Sequence, residues 1–217
     1  MARVVTVFGL SGVGKSWMIS RYAAAANVAH MQASQLMRDA RATLVAREVT
    51  SEDLRRGPVL DNQSLLTDAF AKVLATEEQP IIFDGHCLID VGEQPIEIPV
   101  DVIRQLQPSG IVLVHSPAEE IVRRREGDTS RERPVRTADA LAVQQDRCVA
   151  ICTDYAEQLG IRFKEVRVGD EHGFAQSGAN FSKHDARIPE RHILSRQRTV
   201  PSAHRHFSRG ADAPTRG

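Results

Sequence analysis

Short apolar runs alternate with longer amphipathic stretches along the chain. The runs are rich in Val and Ile, as in strands buried on both faces, and they occupy residues 4–10, 28–32, 80–84, 110–115 and 163–168. Helical patterns fill the intervals, at residues 15–26, 34–47, 51–78, 100–106, 116–127 and 137–159. Strands that alternate with helices are typical of a parallel sheet covered by helices, so we predict an α/β fold.

The alternation stops near residue 170. Residues 171–217 hold eight Lys or Arg, four Asp or Glu and five of the eight histidines, and they show no periodic apolar face. We therefore predict one α/β domain over residues 1–170 and a polar, basic tail over 171–217 that is disordered or loosely attached. A length of 217 residues suits one domain with an appendage.

Composition narrows the class of protein. Hydrophobic residues make up 41% of the chain and the formal net charge is zero, from 28 basic and 28 acidic side chains. Subtracting the tail leaves 20 basic and 24 acidic residues in positions 1–170. A protein that coats nucleic acid or anionic lipid carries excess positive charge, so the core is not expected to do so. The basic tail remains a candidate for contact with RNA or an acidic surface.

The cysteines and the apolar runs indicate a cytoplasmic protein. Cys87, Cys148 and Cys152 form neither a disulfide framework nor a zinc spacing, so we interpret them as small buried hydrophobes. No apolar run approaches the ~20 residues of a membrane span. The first apolar run is also too short for the hydrophobic region of a signal peptide.

A phosphate-binding loop follows the first predicted strand. Residues 9–16 read Gly-Leu-Ser-Gly-Val-Gly-Lys-Ser and match G-x-x-x-x-G-K-[ST] between a strand and a helix. The residues expected to surround phosphates with backbone N–H groups are Gly9, Gly12, Val13 and Gly14. Lys15 would reach the β- and γ-phosphates, and the Ser16 hydroxyl would ligate Mg²⁺. We therefore predict that the chain binds ATP with Mg²⁺.

An acidic residue ends the third predicted strand. Asp84 follows Ile-Ile-Phe at the carboxyl end of the strand, the edge at which open α/β sheets bind ligands. We expect Asp84 to hold Mg²⁺ or its water, with a capping role in the βα turn as the alternative. His86, two residues later, is a candidate for the same cleft.

Arginines are concentrated in two places. Residues 123–136 contain six arginines around a predicted helix end and a Gly- and Pro-containing loop, which favours a mobile lid over 124–136. The lid arginines expected to stabilise transition-state charge are Arg124, Arg131 and Arg133. Three consecutive arginines cannot share a helix face, so at most two should point inward. Ser34 and Arg38, at the start of the second helix, are candidates to hold an acceptor phosphate. A solvated basic surface is the alternative for both clusters.

The chain resembles the archaeal-type adenylate kinases among the P-loop nucleoside monophosphate kinases. The likeness is carried by the loop at residues 9–16, by Asp84-x-His86, and by R-R-x-x-D-x-x-R-x-R beginning at Arg124. It covers residues 3–170 and implies a five-stranded parallel sheet, a short lid without zinc, and Mg²⁺-dependent transfer of the ATP γ-phosphoryl to AMP. Relatives end in a helix after the fifth strand, where this sequence continues into the polar tail.

A nucleoside monophosphate kinase is thus the predicted function. A monophosphate acceptor is largely dianionic at pH 7 and needs positioning rather than a general base. One alternative is a small-molecule kinase acting on an alcohol, with Asp84 or His86 as the base. The other is a P-loop ATPase switch in protein or RNA assembly that uses the tail. The sequence leaves homo-oligomerisation open.

Overall fold

Five parallel strands form the centre of the molecule. The structure is a computed structural model, and it describes residues 2–45, 59–92, 94–129 and 133–180. The sheet has the order β2-β3-β1-β6-β7, with β1 Val4–Phe8, β2 Ala29–Gln32, β3 Ile81–Asp84, β6 Pro108–His115 and β7 Arg162–Arg167. A short antiparallel hairpin lies outside this sheet and is made of β4 Leu88–Ile89 and β5 Ile96–Glu97.

Helices cover the sheet in two groups. Their bounds are α1 Lys15–Ala25, α2 Ala33–Val45, α3 Val59–Thr76, α4 Val100–Gln105, α5 Ala118–Glu126, α6 Ala138–Leu159 and α7 Glu171–Asn180. Helix α1 packs with α7, whereas α2 to α6 pack with one another. The predicted α/β fold and its five-stranded parallel sheet are confirmed. The first part of the predicted helix 51–78 lies outside the described residues.

Side chains of successive strand residues face the two helix groups in turn. Val5 and Val7 line a small cavity with Tyr22 of α1 and Phe174 of α7. Phe8, the next residue of β1, stacks edge-on against Tyr155 of α6, with ring centroids 6.3 Å apart. Because strand residues alternate between faces, this arrangement makes three layers with the sheet in the middle.

The predicted boundary at residue 170 is wrong. Asp170 caps α7, accepting a bond from the backbone N–H of Gly173 through Oδ1 at 2.8 Å. Phe174 is 3% exposed, and its ring meets Tyr22 at a centroid distance of 5.4 Å. Ser177 is fully buried as well. Residues 171–180 therefore belong to the folded domain, because this helix packs into the core. Residues 181–217 of the predicted tail lie outside the described residues.

The three cysteines are buried and free, as expected of small apolar side chains. They meet in one place: Cys87 follows the third strand, and Cys148 and Cys152 are one turn apart on α6. Contact with the Cys87 thiol, together with burial, raises the pKa of the Cys148 thiol well above its ordinary range. All three side chains pack in the core. The Cys148 thiol has little thiolate at neutral pH, because its pKa is raised.

Within the described part of the chain, no helix has the length and apolar character needed to cross a membrane.

Candidate functional site

The phosphate loop joins β1 to α1 at the carboxyl edge of the sheet. Gly12 and Gly14 have φ of +87° and +100°, backbone conformations that favour glycine. Gly14 directly precedes Lys15, the first residue of α1, so the N–H groups at the start of the helix open toward the loop. A Cβ on Gly12 would lie 2.9 Å from Cγ of Arg125, so that arginine packs on the loop where a larger residue would stand.

Four side chains meet at the carboxyl ends of β1 and β3. Lys15 Nζ donates to Oδ1 of Asp84, and both side chains are buried, at 6% and 4% exposure. Ser16 Oγ donates to Oδ2 of the same carboxylate at 2.7 Å. His30, at the middle of the edge strand β2, reaches that oxygen through Nε2 at 3.2 Å. The sequence predicted that Lys15, Ser16 and Asp84 share one site. It gave no sign of His30, which belongs to no motif.

The environment of Asp84 favours its ionised form. Burial alone would raise the pKa of this carboxyl. The hydrogen bond from His30, the charge and hydrogen bond of Lys15, and the hydrogen bond from Ser16 outweigh burial and hold the pKa well below its usual range. Asp84 is therefore a carboxylate at neutral pH and a poor acceptor of protons.

The donor set at Asp84 fits Mg²⁺. A carboxylate and a hydroxyl are hard oxygen ligands, and Mg²⁺ is usually held by one or two such groups together with substrate phosphates. No group of three or more His, Cys, Asp or Glu side chains suited to a metal occurs among the described residues. Ser16 and Asp84 would therefore hold the ion jointly with bound phosphates. The ion would supply neutralisation of phosphate charge.

A cleft opens beside the phosphate loop and is lined by polar and apolar side chains, the mixed lining that is typical of small-molecule sites. Lys15 and Ser16 of the phosphate loop line it. Ser34 and His86 line it as predicted, together with apolar residues of β4, α3 and α4. His86 Nδ1 also donates to the carbonyl oxygen of Gly9 at 2.7 Å, which ties the loop after β3 to the phosphate loop.

Arg38 is not among the described residues that line the cleft, and its role toward an acceptor phosphate stays a prediction. It lies one turn beyond Ser34 on α2 and donates to the side chain of Gln35. Spacing along a helix placed it correctly on the same face as Ser34.

The arginines at the end of α5 divide as the helix geometry requires. Arg123 is exposed, whereas the next two reach the phosphate loop. Arg124 Nη1 donates to the Val13 carbonyl at 2.8 Å, and its Nη2 donates to Glu120 at 2.6 Å. Arg125 Nε donates to the Ser11 carbonyl at 2.9 Å.

Arg133, which follows α5 in the chain, also contacts Ser11 of the phosphate loop. Its Nε donates to Ser11 Oγ at 3.0 Å, and its Nη2 donates to Asp128 at 2.5 Å. Two buried nitrogens, Nη2 of Arg125 and Nη1 of Arg133, have no hydrogen-bond partner among the described residues. Unsatisfied buried donors are costly, and beside a phosphate loop they suit an anionic ligand. The predicted Arg131 lies outside the described residues.

Two residues of this region were missed by sequence reasoning. Arg125 was part of the motif, but its contact with the phosphate loop depends on Gly12 having no Cβ. Asp90, at the tip side of the β4–β5 hairpin, is 6% exposed and accepts from two arginines. Nothing in the sequence around Asp90 marks it, because its partners are 35 and 46 residues away.

The order of the strands, the phosphate loop after the central strand, and the pairing of Lys15 with Asp84 define a P-loop protein of the kinase type. The chain belongs to the family described as AAA domain (AAA_17), whose model matches residues 8–142.

Archaeal adenylate kinases are similar to this chain. The Pyrococcus furiosus enzyme is 26% identical, and the Pyrococcus abyssi enzyme 29% identical, each over 82% of this chain and 92% of the relative. The Methanothermobacter thermautotrophicus adenylate kinase is 37% identical over 42% of this chain and 49% of its own length. The predicted family resemblance is confirmed, and the chain is a phosphotransferase.

Solved structures of small-molecule kinases are similar to this chain only at low values. A shikimate kinase from Bacteroides thetaiotaomicron matches at 13% identity and a TM-score of 0.47, over 83% of this chain and 96% of its own. A gluconokinase from Sinorhizobium meliloti matches at 16% identity and a TM-score of 0.45, over 83% and 95%. At these values they bear on neither substrate nor reaction.

Proposed function

We propose that this protein is an ATP- and Mg²⁺-dependent nucleoside monophosphate kinase, and specifically an adenylate kinase that converts ATP and AMP into two ADP. The observation that carries the proposal is that one cleft is lined both by Ser34 and His86 and by Lys15 and Ser16 of the phosphate loop. An acceptor in that cleft would present its reacting group directly to the γ-phosphate. The names of the archaeal relatives favour AMP as this acceptor.

The reaction needs placement and charge stabilisation. An oxygen of the AMP phosphate attacks the γ-phosphorus while the bond from that phosphorus to the β–γ bridging oxygen breaks, so ADP forms on both sides. Lys15, with the unpartnered nitrogens of Arg125 and Arg133, would neutralise charge on the transferred group. Arg124 holds the phosphate loop in place through Val13, and Arg131 is proposed to join the lid arginines.

The state of Asp84 favours a phosphate acceptor over an alcohol. An alcohol acceptor calls for a general base with a pKa near the working pH. The pKa of Asp84 is lowered, and its carboxylate is occupied by Lys15, Ser16 and His30. A phosphate dianion needs no such base. Ser16 and Asp84 are the proposed Mg²⁺ ligands, and the cytoplasmic location remains a prediction.

The test is an assay of diphosphate formation from Mg·ATP with AMP, GMP, CMP or UMP as the acceptor. We expect ADP from AMP at the highest kcat/KM, and loss of transfer in Lys15→Ala. Near-full transfer by Lys15→Ala would refute the assignment. Phosphorylation of an alcohol in place of every nucleotide would identify the small-molecule kinase. ATP hydrolysis without diphosphate formed from any acceptor, stimulated by RNA or protein, would favour the ATPase switch.

A further inference from the structure

One carboxylate in the β4–β5 hairpin holds two arginines. Oδ2 of Asp90 accepts from Nη1 of Arg125 at 2.9 Å. Oδ1 accepts from Nε and Nη2 of Arg136, both at 3.1 Å, and from Nε2 of Gln144 at 3.2 Å. The Asp90 side chain is only 6% exposed. Burial of ionised groups costs desolvation free energy, so a buried anion with two cations around it is weak evidence for a stabilising role. A functional role is therefore the better explanation for this arrangement.

The contacts of Arg125 explain what the carboxylate could do. Its guanidinium is held at one edge by the Ser11 carbonyl and at another by Asp90, and these two bonds fix the plane of the group. Its stem packs at the position of the missing Gly12 Cβ. The nitrogen that remains, Nη2, is buried and has no partner among the described residues. Asp90 thus sets the direction in which this donor points.

Asp90 also stands beside the acceptor cleft. Ile89, its neighbour on β4, lines the cleft, and so does Ile98 at the end of β5. The hairpin is fastened to α6 by the Asp90–Gln144 bond and by an exposed ion pair between Arg147 and Glu97 at 3.0 Å. The same short hairpin therefore forms a wall of the cleft and fixes an arginine on the phosphate loop.

We propose that Asp90 is a positioning residue, which acts through Arg125 to orient a guanidinium N–H toward the phosphates of ATP on the phosphate loop. Loss of its charge would leave Arg125 and Arg136 close together without their shared counterion, and their repulsion would turn Arg125 away. The proposal rests on the ATP-binding part of the proposed function and is independent of the acceptor.

The experiment is a double-mutant cycle of Asp90→Asn and Arg125→Met. The Kd for Mg·ATP is measured by calorimetry and kcat/KM is measured with AMP. We expect Asp90→Asn to weaken Mg·ATP binding about 10-fold and to lower kcat/KM about 10- to 100-fold, the scale of an approximately 1 Å misplacement. In the Arg125→Met background the same change should alter either quantity by less than about threefold, since its effect passes through the missing arginine.

Thermal unfolding and a matched control separate positioning from structure. Glu97→Gln removes the exposed ion pair of the same hairpin and should leave Kd and kcat/KM within about twofold of wild type. The proposal would be overturned if the fold-changes in Kd and kcat/KM of the two single variants, Asp90→Asn and Arg125→Met, simply multiplied in the double variant. It would also be overturned if Asp90→Asn bound Mg·ATP with the wild-type Kd. If Asp90→Asn fails to fold, Asp90→Ser takes its place in the cycle. A wild-type protein that binds Mg·ATP without forming ADP from AMP would refute the proposed acceptor, and the Kd cycle would still decide the role of Asp90.

Discussion

The buried pair of Lys15 and Asp84 provides a test of the site that requires no substrate. In Asp84→Asn the Lys15 ammonium keeps its burial, at 6% exposure, and loses its counterion. Removal of one partner from a buried ion pair costs about 3–5 kcal/mol. We take about 3 kcal/mol, because an asparagine oxygen can still accept one hydrogen bond. With an m value of about 2 kcal/mol/M, the urea midpoint of the nucleotide-free protein should fall by about 1.5 M.

A double-mutant cycle that combines Asp84→Asn with Lys15→Met identifies the cause of this loss of stability. In the double variant Lys15→Met/Asp84→Asn no buried charge is left unpaired, so its free energy of unfolding should lie closer to wild type than that of Asp84→Asn. The matched control is Asp101→Asn, which breaks an exposed ion pair with Arg104 and should cost less than about 0.5 kcal/mol. Costs of the two single variants that simply add in the double variant would refute the coupling.

The same pair should depend on pH in a defined direction. The pKa of Asp84 is lowered in the folded protein, so the unfolded chain binds its proton more readily. The contribution of the carboxylate to stability is then complete at neutral pH and is lost only as the pH falls below about 4. The stability difference between wild type and Asp84→Asn, measured in urea titrations, should therefore shrink as the pH falls below about 4.

Two further predictions concern the core. Phe174→Ala should lower the free energy of unfolding by about 3 kcal/mol, because a ring that is 3% exposed leaves a cavity against Tyr22. The control is Val143→Ala, at a position 67% exposed, which should change the free energy of unfolding by less than about 0.5 kcal/mol. If the two variants lost the same free energy of unfolding in urea titrations, the assignment of α7 to the core would be contradicted. The buried thiols should be unreactive toward a disulfide reagent in the native protein and react fully in denaturant, and prompt reaction of Cys148 in the native state would be incompatible with its raised pKa.

The strands could be located from the sequence because a buried parallel strand is marked by its own composition. Each apolar run coincides with a strand of the central sheet, and the phosphate loop falls between β1 and α1 as the motif requires. Asp84 was found for a similar reason. Its position at the end of a strand is local information, and the edge of the sheet then brings it to Lys15.

Helix α7 was missed because its sequence contains few apolar residues. Its buried residues include Phe174 and a serine, Ser177, which shows no hydrophobic periodicity. The signal that could have located the helix was Asp170, an acidic residue of the kind that caps helix N-termini. It was read as the last residue of the core, whereas it begins the element that completes it.

The sequence did not reveal those features of the site that depend on long-range contacts. Arg38 was assigned from its spacing to Ser34, but spacing gives the face of a helix and leaves open how far the cleft extends along it. Asp90 and His30 lie in segments without any motif. Each belongs to the site only through its contact with a charged residue of another element, Arg136 for Asp90 and Asp84 for His30. Such contacts become visible only when the hairpin and the edge strand are placed in three dimensions.

The pairing of the arginines beside the phosphate loop explains how a chain of zero net charge can offer a site for polyphosphate. With α7 assigned to the folded domain, residues 1–180 contain 20 basic and 25 acidic side chains. Carboxylates accompany the arginines at the loop: Arg124 pairs with Glu120, Arg125 with Asp90 and Arg133 with Asp128. These carboxylates reduce repulsion among the guanidinium groups and fix their planes. Recognition of phosphate would then depend on the few buried N–H donors that have no partner among the described residues, and a surplus of positive charge over the whole domain would not be required.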